Sequence, residues 1–267
     1  MRELGVRAMT GAVYVALTLG AAWSGPFTTF LLFLPVCVIA MREMHMLYWG
    51  EEGGPPIAWS MMLGATIHIS LAMGIFDDEW NMGYAVAIAF LLVLVTATWL
   101  MLRGDPDPAR SLGGVLVLVL LIAMPFGLLP HLFNWGNWMF ISFMVLLWTN
   151  DTGAYLVGRS IGRTKLLPSV SPKKTIEGLV GGIVLTLVVA WLIARNQAVL
   201  SLQEWLTVGG IIAVTSTLGD LLESAFKRAS GVKDSGNVLP GHGGILDRFD
   251  GFFLAVPSVL LYLHLVR

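Results

Sequence analysis

The chain has 267 residues, of which 56% are hydrophobic and only 12% charged, with a net charge of −1. Soluble domains carry about 25% charged residues, so this composition excludes an ordinary soluble enzyme and implies a polytopic membrane protein. Cys37 is the sole cysteine, which excludes a disulfide framework and a cysteine-based zinc site.

A membrane helix needs about 20 apolar residues, within a range of roughly 17–25. Nine stretches fit or approach that length: 8–23, 27–48, 57–76, 82–102, 113–133, 137–157, 179–195, 205–226 and 249–266. The first follows Arg2 and Arg7 and resembles a signal peptide. It is read as a retained helix, because Trp23 follows the small residues and a new apolar run begins at Phe27. Trp23, Trp49, Trp59, Trp80, Trp99, Trp135, Trp138 and Trp205 fall near proposed ends, as an interfacial belt predicts. Trp148 and Trp191 suit a core better. Gly25-Pro26, Gly53 to Pro56 and Asp105 to Pro108 mark connections, and Pro125 interrupts a span. Gly178 and Gly182 have the spacing that lets membrane helices approach closely. His68 and His264, in apolar spans, are expected to pack or make interhelical polar contacts.

With nine spans, fourteen of the sixteen Lys and Arg residues fall on one side; Arg195 and Arg267 fall on the other. The positive-inside rule makes the basic side cytoplasmic. The expected architecture is all-α, with about five helices in 1–136, about four in a catalytic region 137–267, and a polar site on the cytoplasmic side.

Candidate chemistry concentrates in 219–250. On a helix, Asp220, Glu223, Ser224, Lys227 and Arg228 stand at i, i+3, i+4, i+7 and i+8, one continuous polar stripe. A charge at the centre of a membrane helix costs about 2.5–3.5 kcal/mol, so intramembrane carboxylates imply function. Asp247 and Asp250 repeat the i, i+3 spacing at the next span. If those ends meet, the carboxylates form the hard-oxygen set that suits Mg²⁺, which takes waters and phosphate oxygens as its further ligands. Lys227, Arg228, Lys233 and Arg248 supply cations for a phosphate substrate. Gly241, Gly243 and Gly244 allow close backbone approach, with His242 between them in catalysis or loop ordering. A second patch holds Asn150, Asp151, Arg159, Arg163 and Lys165. It continues into S-P-K-K-T-I-E-G from Ser171, where Ser171-Pro172 reads as a helix start with Lys173 and Lys174 at an anion-binding end.

Residues 224–250 resemble the signature of the phosphatidate cytidylyltransferases: S-x-apolar-K-R, four residues, K-D, then L-P-x-H-G-G-I-x-D-R-F-D. D-T-G-A-Y-L-V-G-R from Asp151, S-P-K-K-T-I-E-G from Ser171 and G-D-L-L-E-S from Gly219 are also similar to that family. The resemblance is strong over 150–267. In the first five spans it is limited to hydrophobicity and length. It implies a nucleotidyltransferase making CDP-diacylglycerol and pyrophosphate from CTP and phosphatidate for phospholipid synthesis. The reaction would depend on Mg²⁺, with room for a second cation, at the cytoplasmic face of the plasma (inner) membrane.

By motif, Asp220 and Asp247 match the family's metal-binding aspartates, with Glu223 and Asp250 beside them. Lys227, Arg228, Lys233, His242 and Arg248 fall among the catalytic positions. Asp151, Lys173, Lys174, Ser224, Gly243 and Gly244 fall among the nucleotide-binding ones. Expected partners are CTP, phosphatidate, membrane lipids and a second copy of the chain in a homodimer, with no nucleic acid. Three alternatives stay open: a related CTP-dependent enzyme acting on an isoprenoid or ether lipid, a CDP-alcohol phosphotransferase, and a transporter that buries Asp220 and Glu223.

Overall fold

An apolar segment inside a bilayer must satisfy its backbone polar groups internally, and a helix does this within one segment. A computed structural model of the chain describes residues 2–50, 53–236, 238 and 243–267, with side chains from Met9 onward. Its helices are α1 (Arg2–Ser24), α2 (Pro26–Trp49), α3 (Ile57–Ala72), α4 (Met82–Leu102), α5 (Pro108–Val117) and α6 (Met124–Leu128). After these come α7 (Asn137–Ile161), α8 (Ile176–Asn196), α9 (Leu202–Ala229), α10 (Leu246–Phe249) and α11 (Phe252–Val266). Strands β1 (Lys165–Leu167) and β2 (Ser171–Thr175) form an antiparallel ribbon between α7 and α8.

Among the described residues, eight helical segments are long and apolar enough to cross a membrane. A shorter apolar helix, Met9–Ser24, precedes them. The protein is therefore an all-α polytopic membrane protein, and these segments coincide with the nine apolar runs of the sequence.

Local chemistry explains the boundaries. Asp107 caps α5 by accepting from the Arg110 amide at 3.0 Å, and Pro108 occupies the first turn, where its missing N–H is not needed. The span containing Pro125 is continuous because a π-helical turn, Leu118–Ala123, widens the backbone just before the proline. That turn absorbs the hydrogen bond and the space that proline denies an α-helix.

The chain divides into two compact units, Met1–His131 with Ser230–Phe249, and Leu132–Ala229 with Asp250–Arg267. In the first, Phe33, Met41 and Met44 of α2 are buried, as are Ile67 and Leu71 of α3 and Phe126 of α6. Phe249 of α10 joins that core, its ring 5.7 Å from Phe33 and 5.5 Å from both Phe126 and Tyr14. His68 is fully buried and stacks on Phe30 at 5.2 Å.

In the second unit α7, α8, α9 and α11 pack together, and the α7–α8 crossing depends on glycine. A Cβ at Gly178 would lie 2.8 Å from the Ala154 carbonyl oxygen, and one at Gly182 would lie 2.8 Å from Asn150 Oδ1. Overpacking of this kind costs roughly 1–3 kcal/mol. Gly182→Ala is therefore expected to lower the thermal midpoint of the detergent-solubilised protein by several degrees, measurable by a thermal-shift assay. Two tryptophan expectations are corrected. Trp205 is fully buried although it lies near a helix end, and Trp191 is 39% exposed, with Arg195 over its ring at 4.5 Å. His264 packs edge-on against Trp135 at 5.2 Å.

Candidate active site

In the second unit a cavity of about 430 Å³ opens between the C-terminal half of α7, the β-ribbon, the start of α8 and the middle of α9 at Thr217 and Asp220. The sequence folds this way because Glu177, in the first turn of α8, ties back the chain leaving α7. Its carboxylate accepts from the amides of Arg163 at 3.0 Å and Thr164 at 3.1 Å. Thr175 caps α8, its hydroxyl accepting from the Gly178 amide at 3.1 Å. Ser171-Pro172 is therefore strand and not a helix start. The threonine four residues after Ser171 has the side-chain acceptor that the cap requires, and Pro172 is tolerated on a two-stranded edge. This places Lys173 and Lys174 on the cavity wall as strand residues. Asn150, Asp151 and Arg159 face them from α7, and Asp220 from α9.

Helix α9 carries the expected stripe unbroken. Ser224 donates to Asp220 Oδ1 at 3.2 Å, and Lys227 Nζ stands 2.5 Å from Glu223 Oε2. Glu223 is fully buried and Lys227 nearly so, whereas Asp220 is part-exposed and forms an ion pair with Lys174. Arg228, exposed, reaches the Val170 carbonyl at 3.3 Å. Asp250 lies where α9 and the start of α11 touch backbone to backbone: a Cβ on Gly219 would fall 2.5 Å from the Asp250 carbonyl oxygen. The carboxylates of Asp220, Asp151 and Glu223 all act electrostatically on that of Asp250. Four carboxylates of one unit thus share a neighbourhood, with Lys174 and Lys227 as partial counter-charges.

The first unit holds the rest of the charged run. Lys233, Asp234 and Arg248 are exposed. Asp247 Oδ2 accepts from the Ser235 amide at 2.9 Å, the Ser235 hydroxyl at 3.0 Å and the Gly244 amide at 2.8 Å. The N–H of Gly244 therefore points at the chain's own carboxylate, and Gly243 takes the left-handed φ of +79° that permits the turn. The expectations for His242 and Gly241 fall outside the described residues.

A residue that the sequence reading passed over completes this network. Glu43 of α2 is 1% exposed and accepts from the Ser235 hydroxyl at 3.1 Å and the amides of Ile245 and Leu246 at 3.0 and 2.9 Å. The rule that singled out Asp220 and Glu223, a carboxylate inside an apolar span, applies equally to Glu43.

Among the described residues no three His, Cys, Asp or Glu side chains form a ready-made metal cage. Mg²⁺ seldom needs one; it is commonly held by one or two carboxylates, with waters and substrate phosphate oxygens completing the shell. Asp220 and Asp151, both on the cavity wall, offer carboxylate oxygens that fit that requirement.

A family model for the cytidylyltransferase family matches residues 5–266. The chain is 34% identical over 232 residues to the phosphatidate cytidylyltransferase of Bacillus subtilis (strain 168), covering 85% of this chain and 83% of that protein. It is 31% identical over 260 residues to the phosphatidate cytidylyltransferase of Staphylococcus haemolyticus (strain JCSC1435), covering 97% and 98% of the two chains. Against that of Staphylococcus aureus (strain COL) the identity is 47% over 121 residues, 45% of this chain and 46% of the other. With a match that runs nearly end to end, the chain belongs to the cytidylyltransferase family.

Proposed function

We propose that the protein transfers CMP from CTP to phosphatidate, giving CDP-diacylglycerol and pyrophosphate for phospholipid synthesis. Family membership supports the reaction class, and the relatives' activity supports the substrates. The observation that carries the reading to this chain is the α7–α9 cavity, where Lys173 and Lys174 face Asp151 and Asp220. A phosphate monoester oxygen of the lipid attacks the α-phosphorus of CTP, a new P–O bond forms, and the bond to the β-phosphate breaks with departure of pyrophosphate. The nucleophile is already anionic near neutral pH, so no strong base is needed.

What must be overcome is repulsion between two polyanions, which preorganised cations reduce. Lys173, Lys174 and Arg159 supply that charge on the cavity wall. Mg²⁺, held at Asp220 with the neighbouring carboxylates, would add further charge neutralisation at the phosphates. The fourteen basic residues on one side of the predicted topology support a cytoplasmic opening in the plasma membrane. CTP would then arrive from water while the lipid keeps its acyl chains in the bilayer.

The test is product analysis. Purified protein in detergent micelles, given radiolabelled CTP, phosphatidate and Mg²⁺, is expected to form CDP-diacylglycerol and pyrophosphate in equal amounts. Folded protein that makes neither, or that uses an isoprenoid phosphate in preference to phosphatidate, overturns the assignment.

A further inference from the structure

We infer that Glu43 is a positioning residue for the reaction: its buried carboxylate holds the two chain stretches that set Asp247, and through them sets turnover. The inference rests on the reading that Asp247 takes part in the transfer.

Glu43 lies in the second half of α2, between Arg42 and His45, 192 residues from Ser235 and about 200 from Ile245 and Leu246 in sequence. Burying an ionised carboxylate costs several kcal/mol unless hydrogen bonds replace its hydration. Here two amides and the single hydroxyl proton of Ser235, shared with Asp247, do so, all from the signature stretch. Oε1 takes the Ile245 amide, and Oε2 takes the Leu246 amide and the Ser235 hydroxyl. The fit leaves no spare volume: a Cβ on Gly236 would lie 2.6 Å from Oε1, and one on Gly244 would lie 2.5 Å from Oε2. One carboxylate thus clamps residues on both sides of the 237–242 sequence.

Ser235 links this clamp to Asp247. Its hydroxyl oxygen stands 3.1 Å from Glu43 Oε2 and 3.0 Å from Asp247 Oδ2, while its amide also donates to Asp247. Leu246, held by Glu43, immediately precedes Asp247, so both the peptide carrying Asp247 and the serine that orients its carboxylate are anchored to α2. Groups that orient a metal-ligating side chain typically change metal affinity or activity 10–100-fold when removed. Glutamine has the shape of glutamate, but its amide nitrogen faces donors and cannot accept from them.

The experiment uses the full chain in detergent with Cys37→Ala, so that a nitroxide attached at Val238→Cys, an exposed position, reports the stretch alone. Glu43→Gln is expected to narrow the nitroxide spectrum, reduce kcat for CDP-diacylglycerol formation about 10–100-fold and change the KM for CTP less than threefold. Its thermal midpoint should stay within a few degrees of the parent. A role in stability alone would instead lower the midpoint, with kcat per folded molecule and the spectrum intact, and that result overturns the inference. Should Glu43→Gln fail to fold, Ser235→Ala decides. It removes the hydroxyl bridge between the two carboxylates while leaving Glu43 its two amides and Asp247 its own backbone donors, and an unchanged spectrum and turnover would refute the proposal. An inactive parent enzyme sinks the assignment of function instead, and the nitroxide arm still reports whether Glu43 holds the stretch.

Discussion

Asp220→Asn is expected to lower kcat for CMP transfer about 1,000-fold, about 4 kcal/mol of transition-state stabilisation, with little change in the thermal midpoint. The side chain is 30% exposed, so its loss of charge leaves no buried ion uncompensated, and asparagine retains an oxygen for the Ser224 hydroxyl. What asparagine cannot supply is negative charge where Lys174 and the α7 residues converge. If Asp220 holds Mg²⁺ against the triphosphate, the loss falls on the chemical step. Lys174→Met should then behave differently, raising the KM for CTP several-fold with a smaller fall in kcat, because its charge acts on bound and reacting phosphate alike. Steady-state kinetics with purified variants separates the two. A folded Asp220→Asn enzyme with more than a third of parental turnover would remove the carboxylate from the mechanism.

The spans were legible because each is a run of about 20 apolar residues punctuated by Gly and Pro, and a bilayer leaves such a run almost no structure but a helix. The stripe on α9 was equally legible, since Asp220, Glu223, Ser224 and Lys227 are local neighbours on one helix and their contacts follow from 3.6 residues per turn. The ribbon before α8 was misread. Ser171-Pro172 has the composition of a helix start, and only the pairing of Leu167 with Ser171 and the Thr175 cap show that the helix begins at Ile176. Glu43 itself is legible as a carboxylate inside a span, but its partners lie about 200 residues away, and no local periodicity encodes such a contact. The same limit applied to 230–249. The sequence places it beside α9, whereas its packing, through Phe249 and Glu43, is with the first unit.

Gly219→Ala, adding one methyl group beside Asp220, is expected to reduce kcat about 100-fold and to destabilise the protein by roughly 1–3 kcal/mol. Its Cβ would lie 2.5 Å from the carbonyl oxygen of Asp250 and 3.5 Å from the Gly251 Cα. Both are backbone atoms, with no rotamer to relieve the clash, so α9 or the start of α11 must move. Gly251 is equally constrained from the other side, since a Cβ there would lie 3.1 Å from the Ser216 Cβ. The shift therefore separates Asp220, the next residue on α9, from the Asp250 carboxyl that it influences electrostatically, and about 1 Å of misplacement can cost 100-fold in rate. Gly210→Ala is the matched control on the same helix. Nothing lies within 4 Å of its Cβ, so the substitution should leave turnover unchanged and, by helix propensity, stabilise by up to about 1 kcal/mol. Equal activity in the two variants would show that the backbone contact between Gly219 and Asp250 has no part in holding the carboxylates in place. A selective loss in Gly219→Ala assigns the glycine before Asp220 a geometric task.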